Sequence, residues 1–154
     1  MNLQISYRQV KFMKKRKLEA EFEYDFSLCG IISTLKEYKL AWMINSQFDL
    51  QLDKAKDIEI EFLKSPNLII SNYVYETEHC CFRLLKNKSV DLFSDSLAFL
   101  IPELNRFDYL LILQGFEDSF TNEELKKKMA SFSGIQYLQF FQIENLKSKE
   151  NLIF

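Results

Sequence analysis

Glycine, proline, histidine and cysteine are scarce in this chain, and each scarcity excludes a class of protein. The 154 residues include 3 Gly and 2 Pro, and no Gly-rich phosphate loop is present. The single His and the 3 Cys are not spaced as a zinc site or a disulfide framework. No apolar run approaches the ~20 residues of a membrane-spanning helix. We therefore expect no cofactor, no metal and no membrane partner, and the thiol content favours a reducing cytoplasm.

Aromatic residues, in contrast, are abundant. Hydrophobic residues make up 47% of the chain and aromatic residues 15%, including 15 Phe. A chain of this length and composition is typical of one globular domain with a bulky core. Fifteen phenylalanines also favour an apolar surface patch.

Charge is distributed unevenly along the chain. Residues 1–17 contain six basic side chains and no acidic one, whereas the other residues carry 14 basic and 22 acidic side chains. An acidic body disfavours nucleic acid as the main ligand and suits a basic or neutral protein partner. The run Lys14–Lys17 has two interpretations, an RNA-binding arm or a solvated leader, and we favour the leader. Because residues 1–12 show no clean period before Met13, we interpret residues 1–13 as an extension preceding a single domain over 14–154.

Alternating and apolar runs predict several short strands and an early helix. Apolar and acidic residues alternate from Leu18 to Phe26, which is the period of a half-buried strand. Thr34 and Glu37 have the spacing of a capping box, which predicts a helix from about Leu35 to Gln47. Its apolar segment, residues 40–44, predicts that this helix is covered on more than one side. Further strands are expected at Leu28–Ser33, Ile58–Phe62, Leu68–Tyr75, Cys80–Leu85 and Leu97–Ile101, the third and fourth joined as a hairpin.

The last third of the chain predicts a strand, a helix and a strand. Tyr109–Leu113 has no polar position and is typical of a central strand covered on both faces. Thr121 and Glu124 form a second capping-box spacing, and Ile135–Ile143 is the final strand. The fold class predicted is α+β: a single domain with a mixed, mostly antiparallel sheet of about 6–8 strands and two helices packed on one face.

The link before the central strand holds the most reactive set of side chains. Two carboxylates near a tyrosine and an arginine suit general acid–base work, or a pocket for a small molecule. The alternative is turn chemistry, in which Glu103 and Arg106 pair locally and Asp108 caps loop amides. We favour the turn, since no nucleophile or metal ligand accompanies the carboxylates. The residues concerned are Ile101, Pro102, Glu103, Arg106, Asp108 and Tyr109.

The chain ends on three apolar residues, Leu152, Ile153 and Phe154, after a polar spacer. Such an end can dock on a partner or a second copy, or fold back over its own sheet. Both alternatives stay open at the level of sequence.

The spacing Ile101-Pro102-Glu103, three residues, then Phe107-Asp108-Tyr109 resembles the signature of the IPExxxVDY family, small proteins of Bacteroidetes. Phe107 stands where that signature has Val. The ending Ser148–Phe154 and the segments Phe22–Phe26 and Tyr38–Ala41 are also similar to that family. The resemblance implies a bacterial, cytoplasmic, single-domain protein beginning near Met13, and it supplies no catalytic residue.

These observations favour a non-enzymatic protein-interaction or adaptor module that binds a protein partner or self-associates, for example as a homodimer. A small-molecule-binding or enzymatic domain with a pocket near Pro102–Tyr109 is the alternative. An RNA-associated protein using Lys14–Lys17 is the weakest of the three.

Overall fold

A six-stranded sheet carries the fold, with the strand Tyr109–Gln114 inside it. The computed structural model describes residues 23–91 and 98–154. In chain order the strands are β1 (Ser27–Ser33), β2 (Asp53–Lys54), β3 (Ile58–Ile60), β4 (Leu68–Ile70), β5 (Asn72–Glu76), β6 (Cys81–Lys86), β7 (Tyr109–Gln114) and β8 (Ile135–Phe141), and the helices are α1 (Glu37–Phe48) and α2 (Asn122–Ala130). The sheet order is β2-β5-β6-β7-β1-β8, and β3 and β4 form a separate hairpin.

Every hydrogen-bonded strand pair among the described residues is antiparallel. β7 and β8 run in the same direction, but β1 lies between them and pairs with both. The strand–helix–strand unit expected from the last third of the chain is therefore present, with an antiparallel strand inserted in the middle. The predicted α+β class, the size of the main sheet and the helix placement are confirmed. The expected mixed character is not found, because no parallel pair occurs among the described strands.

The two faces of the sheet are covered differently. Along β7, Tyr109, Leu111 and Leu113 point to one face and Leu110 and Ile112 to the other, as the period of two requires. The first face, which we call the helix face, packs against both helices. The second, which we call the tail face, is covered by the β3–β4 hairpin, the link 100–107 and the C-terminal residues 143–152. β7 is thus buried on both faces, as predicted.

The two capping-box predictions have opposite outcomes. The box at Thr121 is confirmed: its hydroxyl accepts the Glu124 amide at 3.1 Å, and the Glu124 carboxylate accepts the Thr121 amide at 3.2 Å. The box at Thr34 is wrong, because α1 begins at Glu37 and its N-cap, Lys36, makes no side-chain cap. The Thr34 amide instead donates to the Gly134 carbonyl at 3.3 Å, in the connection that precedes β8.

Three predicted strands need correction. The described part of Leu18–Phe26, residues 23–26, is not a strand, and residues 18–22 lie outside the described residues. Residues 98–101 form only an isolated bridge between Phe99 and Lys88, so the predicted strand Leu97–Ile101 is wrong. Leu68–Tyr75 is interrupted at Ser71, where the chain passes from the β3–β4 hairpin to the main sheet. The proposed leader 1–13 and the run Lys14–Lys17 also lie outside the described residues.

No helix in the described part of the chain is both long enough and apolar enough to cross a bilayer.

Candidate interaction site

One buried asparagine, Asn87, holds residues 100–107 in place through hydrogen bonds. We call residues 100–107, which precede β7, the signature link. Asn87 follows β6 directly, and its side chain is 0% exposed. Its amide nitrogen donates to the carbonyls of Leu104 at 2.9 Å and Phe107 at 3.0 Å, and its amide oxygen accepts the Ile101 amide at 3.0 Å. Its backbone carbonyl accepts the Leu100 amide at 2.7 Å. A fully satisfied buried amide of this kind fixes the path of the link.

The link itself is a short 3-10 helix, Pro102–Leu104, that begins at the proline. Proline suits this position because its fixed φ is helical and its missing amide would lack an intrahelical partner. Ile101 and Leu104 are buried in the tail face, and Pro102 and Arg106 face outward. The apolar members of the motif therefore anchor the link to the sheet.

Glu103 connects the link to the C-terminal segment. Its carboxylate accepts the Ser148 amide at 2.7 Å. No ion pair joins Glu103 to Arg106 in the structure, so the predicted local pairing of these residues is wrong. Burial tends to raise the pKa of Glu103, but backbone amides of Glu103, Ser148 and Lys147 outweigh it and hold the pKa below its usual range. The Glu103 carboxylate therefore holds the link and the C-terminal segment together through backbone hydrogen bonds. We call this contact the clasp.

We expect Glu103→Gln to weaken this clasp in a pH-dependent way. Because the folded-state pKa is lowered, the carboxylate stabilises the fold above its unfolded pKa of about 4.3 and loses that effect as the pH falls through the folded-state pKa. Wild type should be more stable than the variant at pH 7, by less than about 1 kcal/mol because the site is exposed. Urea denaturation at several pH values measures this difference, which should shrink as the pH falls below about 4.3 and through the lowered folded-state pKa. A difference that stays constant from pH 7 to pH 3 would contradict the clasp.

The side chains of Asp108 and Tyr109 both hydrogen-bond to the backbone where β1 leads into α1. The Asp108 carboxylate accepts the Ser33 amide at 2.9 Å, and the Tyr109 hydroxyl donates to the Leu35 carbonyl at 2.5 Å. Asp108 therefore accepts a backbone amide, but that amide belongs to Ser33 at the end of β1, so the predicted capping of amides within its own link is wrong. Burial, together with the charges of Glu37 and Asp108, raises the pKa of Tyr109 to about 12.

The structure thus brings Asp108 and Tyr109 together but leaves Glu103 apart from them. Glu103 is held by the C-terminal segment, whereas Tyr109 is buried on the helix face. Each of the three groups has a backbone partner. They do not converge on one point as a general acid and base would.

Cys29 and His79 lie in different parts of the fold and do not form a joint site. Cys29 is buried in β1, and burial raises the pKa of its thiol to about 12, so it is protonated at neutral pH. His79 is exposed at the β5–β6 turn. The Cys80 Sγ and the Thr77 Oγ1 are hydrogen-bonded at 3.0 Å. Within residues 23–91 and 98–154, no three His, Cys, Asp or Glu side chains are grouped to hold a metal ion.

The C-terminal residues fold back over the chain's own sheet. Leu152 is buried in the tail face, and Ile153 and Phe154 are half-buried. The Arg83 guanidinium lies 5.3 Å from the centre of the Phe154 ring, and the Asn151 side chain donates to the Leu100 carbonyl at 2.9 Å. The apolar end therefore has intramolecular contacts and is not a free tail.

Among the described residues, the most exposed aromatic side chains lie on the outer side of α1. Tyr38 is 62% exposed and Trp42 is 67% exposed, one helical turn apart. Leu40, Ala41 and Ile44 face the sheet and are buried. The prediction that this helix is covered on more than one side is therefore wrong, because its apolar content includes Trp42, whose side chain is about two-thirds exposed.

Comparison of the chain with protein-family models, with curated proteins and with solved structures finds no match in any of the three. The resemblance to the IPExxxVDY proteins stays a prediction that depends on the residues quoted above.

Proposed function

We propose that this protein is a non-enzymatic interaction module of the cytoplasm that binds a protein partner through the outer side of α1. The observation that carries the proposal is the exposed pair Tyr38 and Trp42. Tryptophan and tyrosine are the residues most often responsible for binding energy at protein interfaces. The proposal of a cytoplasmic location draws on three free thiols, which suit a reducing compartment.

Several features of the pair support a binding role. The two side chains lie on a helix of 12 residues whose other side is anchored by buried Leu40 and Ile44, so they are presented on a rigid support. A partner can cover them at little conformational cost because an aromatic side chain has only two rotatable bonds. The acidic body would favour a partner that is basic or neutral around an apolar groove. Such a groove binds a helix face through positions i and i+4.

We expect Trp42→Ala to abolish partner capture while leaving stability within about 0.5 kcal/mol of wild type, because the side chain is mostly in solvent. Affinity purification from the protein's own host, with quantitative mass spectrometry, measures the capture. Leu63→Ala is the matched control, since Leu63 is a large apolar residue that is 81% exposed on a loop. Proteins lost with Trp42→Ala and kept with Leu63→Ala would be the partners. Identical captures by wild type and Trp42→Ala would refute the proposed surface.

A further inference from the structure

The two edges of the main sheet are built differently. One edge is β2, which has two residues, Asp53 and Lys54, both charged and exposed. Short length and charge are the usual protection of a sheet edge against pairing with another chain. The other edge is β8, with seven residues, Ile-Gln-Tyr-Leu-Gln-Phe-Phe, and it contains neither a charge nor a proline. In the described residues β8 pairs on one side only, with β1.

The regular part of β8 begins after a bulge. The register with β1 shifts between Ile32, opposite Tyr137, and Ser33, opposite Ile135. Residues 137–141 therefore form an uninterrupted ladder, and Gln139 is its middle residue. Leu138 and Phe140 belong to the helix face, whereas Phe141 belongs to the tail face.

This five-residue ladder is complementary to itself when it is reversed. An antiparallel pairing centred on Gln139 places Tyr137 opposite Phe141 of a second copy, and Leu138 opposite Phe140. Aromatic and apolar pairs of this kind stabilise adjacent strands. Gln139 alone faces its own equivalent, amide against amide.

Aromatic packing already present in one chain would continue across such a pairing. Phe107 packs against Phe141 at 5.1 Å and against Tyr137 at 6.2 Å between ring centres, on the tail face. Tyr137 is nevertheless 49% exposed, so about half of its side chain is without cover, and its hydroxyl donates to the side-chain oxygen of Gln139 at 3.2 Å. A second β8 would supply that cover from its own Phe141.

Charges on α2 are compatible with the same symmetry. α2 packs on β8, with Glu123 and Glu124 in its first turn and Lys127 and Lys128 in its last. A two-fold axis perpendicular to the sheet reverses the second α2 on the same face. The two α2 helices then run in opposite directions, so that the acidic end of each is on the same side as the basic end of the other.

From these observations we propose that two copies of the chain pair antiparallel through β8, with Gln139 at the two-fold axis, and so form a twelve-stranded sheet. The inference concerns a surface distinct from α1 and does not depend on the proposed partner binding.

The test uses the full chain and two single substitutions at the axis. Light scattering should give wild type twice its chain mass of 18.4 kDa. Gln139→Lys and Gln139→Glu each oppose two like charges, so each should raise the dimer dissociation constant at least about tenfold. An equimolar mixture of the two variants should recover the dimer, because lysine then faces glutamate. Gln47→Lys, on the exposed side of α1, is the matched control and should dimerise like wild type.

Three results would overturn the inference. The first is a wild-type protein that stays monomeric across the micromolar range. A monomer whose β8 amides are protected from hydrogen exchange, with that protection lost when residues 1–22 are removed, counts as this same result. The second is unchanged dimerisation of both Gln139 variants, which would place the interface elsewhere. The third is a mixture that stays monomeric. Failure here is distinguishable from failure of the α1 proposal, since Trp42→Ala affects partner capture and should leave the mass unchanged.

Discussion

Replacing Asn87 with alanine is expected to lower the free energy of unfolding by about 3–5 kcal/mol. The truncation removes three hydrogen bonds and leaves the Leu104 and Phe107 carbonyls and the Ile101 amide without their partner. All three side-chain bonds are buried, so water cannot replace the lost amide without opening the link. Equilibrium urea denaturation followed by circular dichroism measures the change.

Asn105→Ala is the control for this experiment. Asn105 lies in the same link, but its side chain is exposed. We expect it to change the free energy of unfolding by less than about 0.5 kcal/mol. If Asn87→Ala were as mild as Asn105→Ala, the hydrogen-bond network around Asn87 would not be what holds the signature link.

The second large effect is expected at Gly30, in the middle of β1. A β-carbon built there would lie 2.6 Å from Cδ1 of Phe107 and 2.8 Å from Cε2 of Phe141, both closer than real contacts allow. The two rings pack edge to face over the glycine, with centres 5.1 Å apart. We expect Gly30→Ala to cost about 1–3 kcal/mol through overpacking, and Gly30→Val to cost more.

A double-mutant cycle separates this explanation from an intrinsic strand effect. Phe107→Val should be destabilising alone, because it leaves a cavity in the tail face. Combined with Gly30→Ala, it removes the nearest clash, so the two losses should sum to more than the measured loss of the double variant. Strict additivity in urea denaturation would show that Gly30 and Phe107 act independently.

Local patterns predicted the elements well where tertiary contacts did not compete. β7 lacks polar residues and is indeed buried on both faces, and the capping box at Thr121 forms. The same pattern at Thr34 fails because Ser33 and Thr34 are engaged by Asp108 and Gly134, which are 75 and 100 positions away. A sequence pattern four residues long carries no information about those partners.

The signature link shows the same limit. Its role as a turn could be predicted from Pro102 and its polar neighbours, but Asn87 could not be identified as the residue that organises it. The asparagine looks like an ordinary strand end in the sequence, and its partners are backbone groups of residues 101, 104 and 107. The exposure of Trp42 could not be predicted for a related reason. The apolar content of a helix shows how much can be buried and not which residues a sheet reaches.

The position of β1 has a consequence for synthesis of the chain. β1 pairs with β7 and β8. Ser27 can therefore pair only after Leu113 has been synthesised, and Leu28 can complete its pairing only after Phe141 has been synthesised. At a translation rate of about 5–20 residues per second, this apolar strand lacks at least one of its two neighbours for roughly 6–23 seconds. The main sheet therefore cannot close progressively from its N-terminal strand. It closes only when the last strand leaves the ribosome, and non-local pairing of this kind makes folding slow.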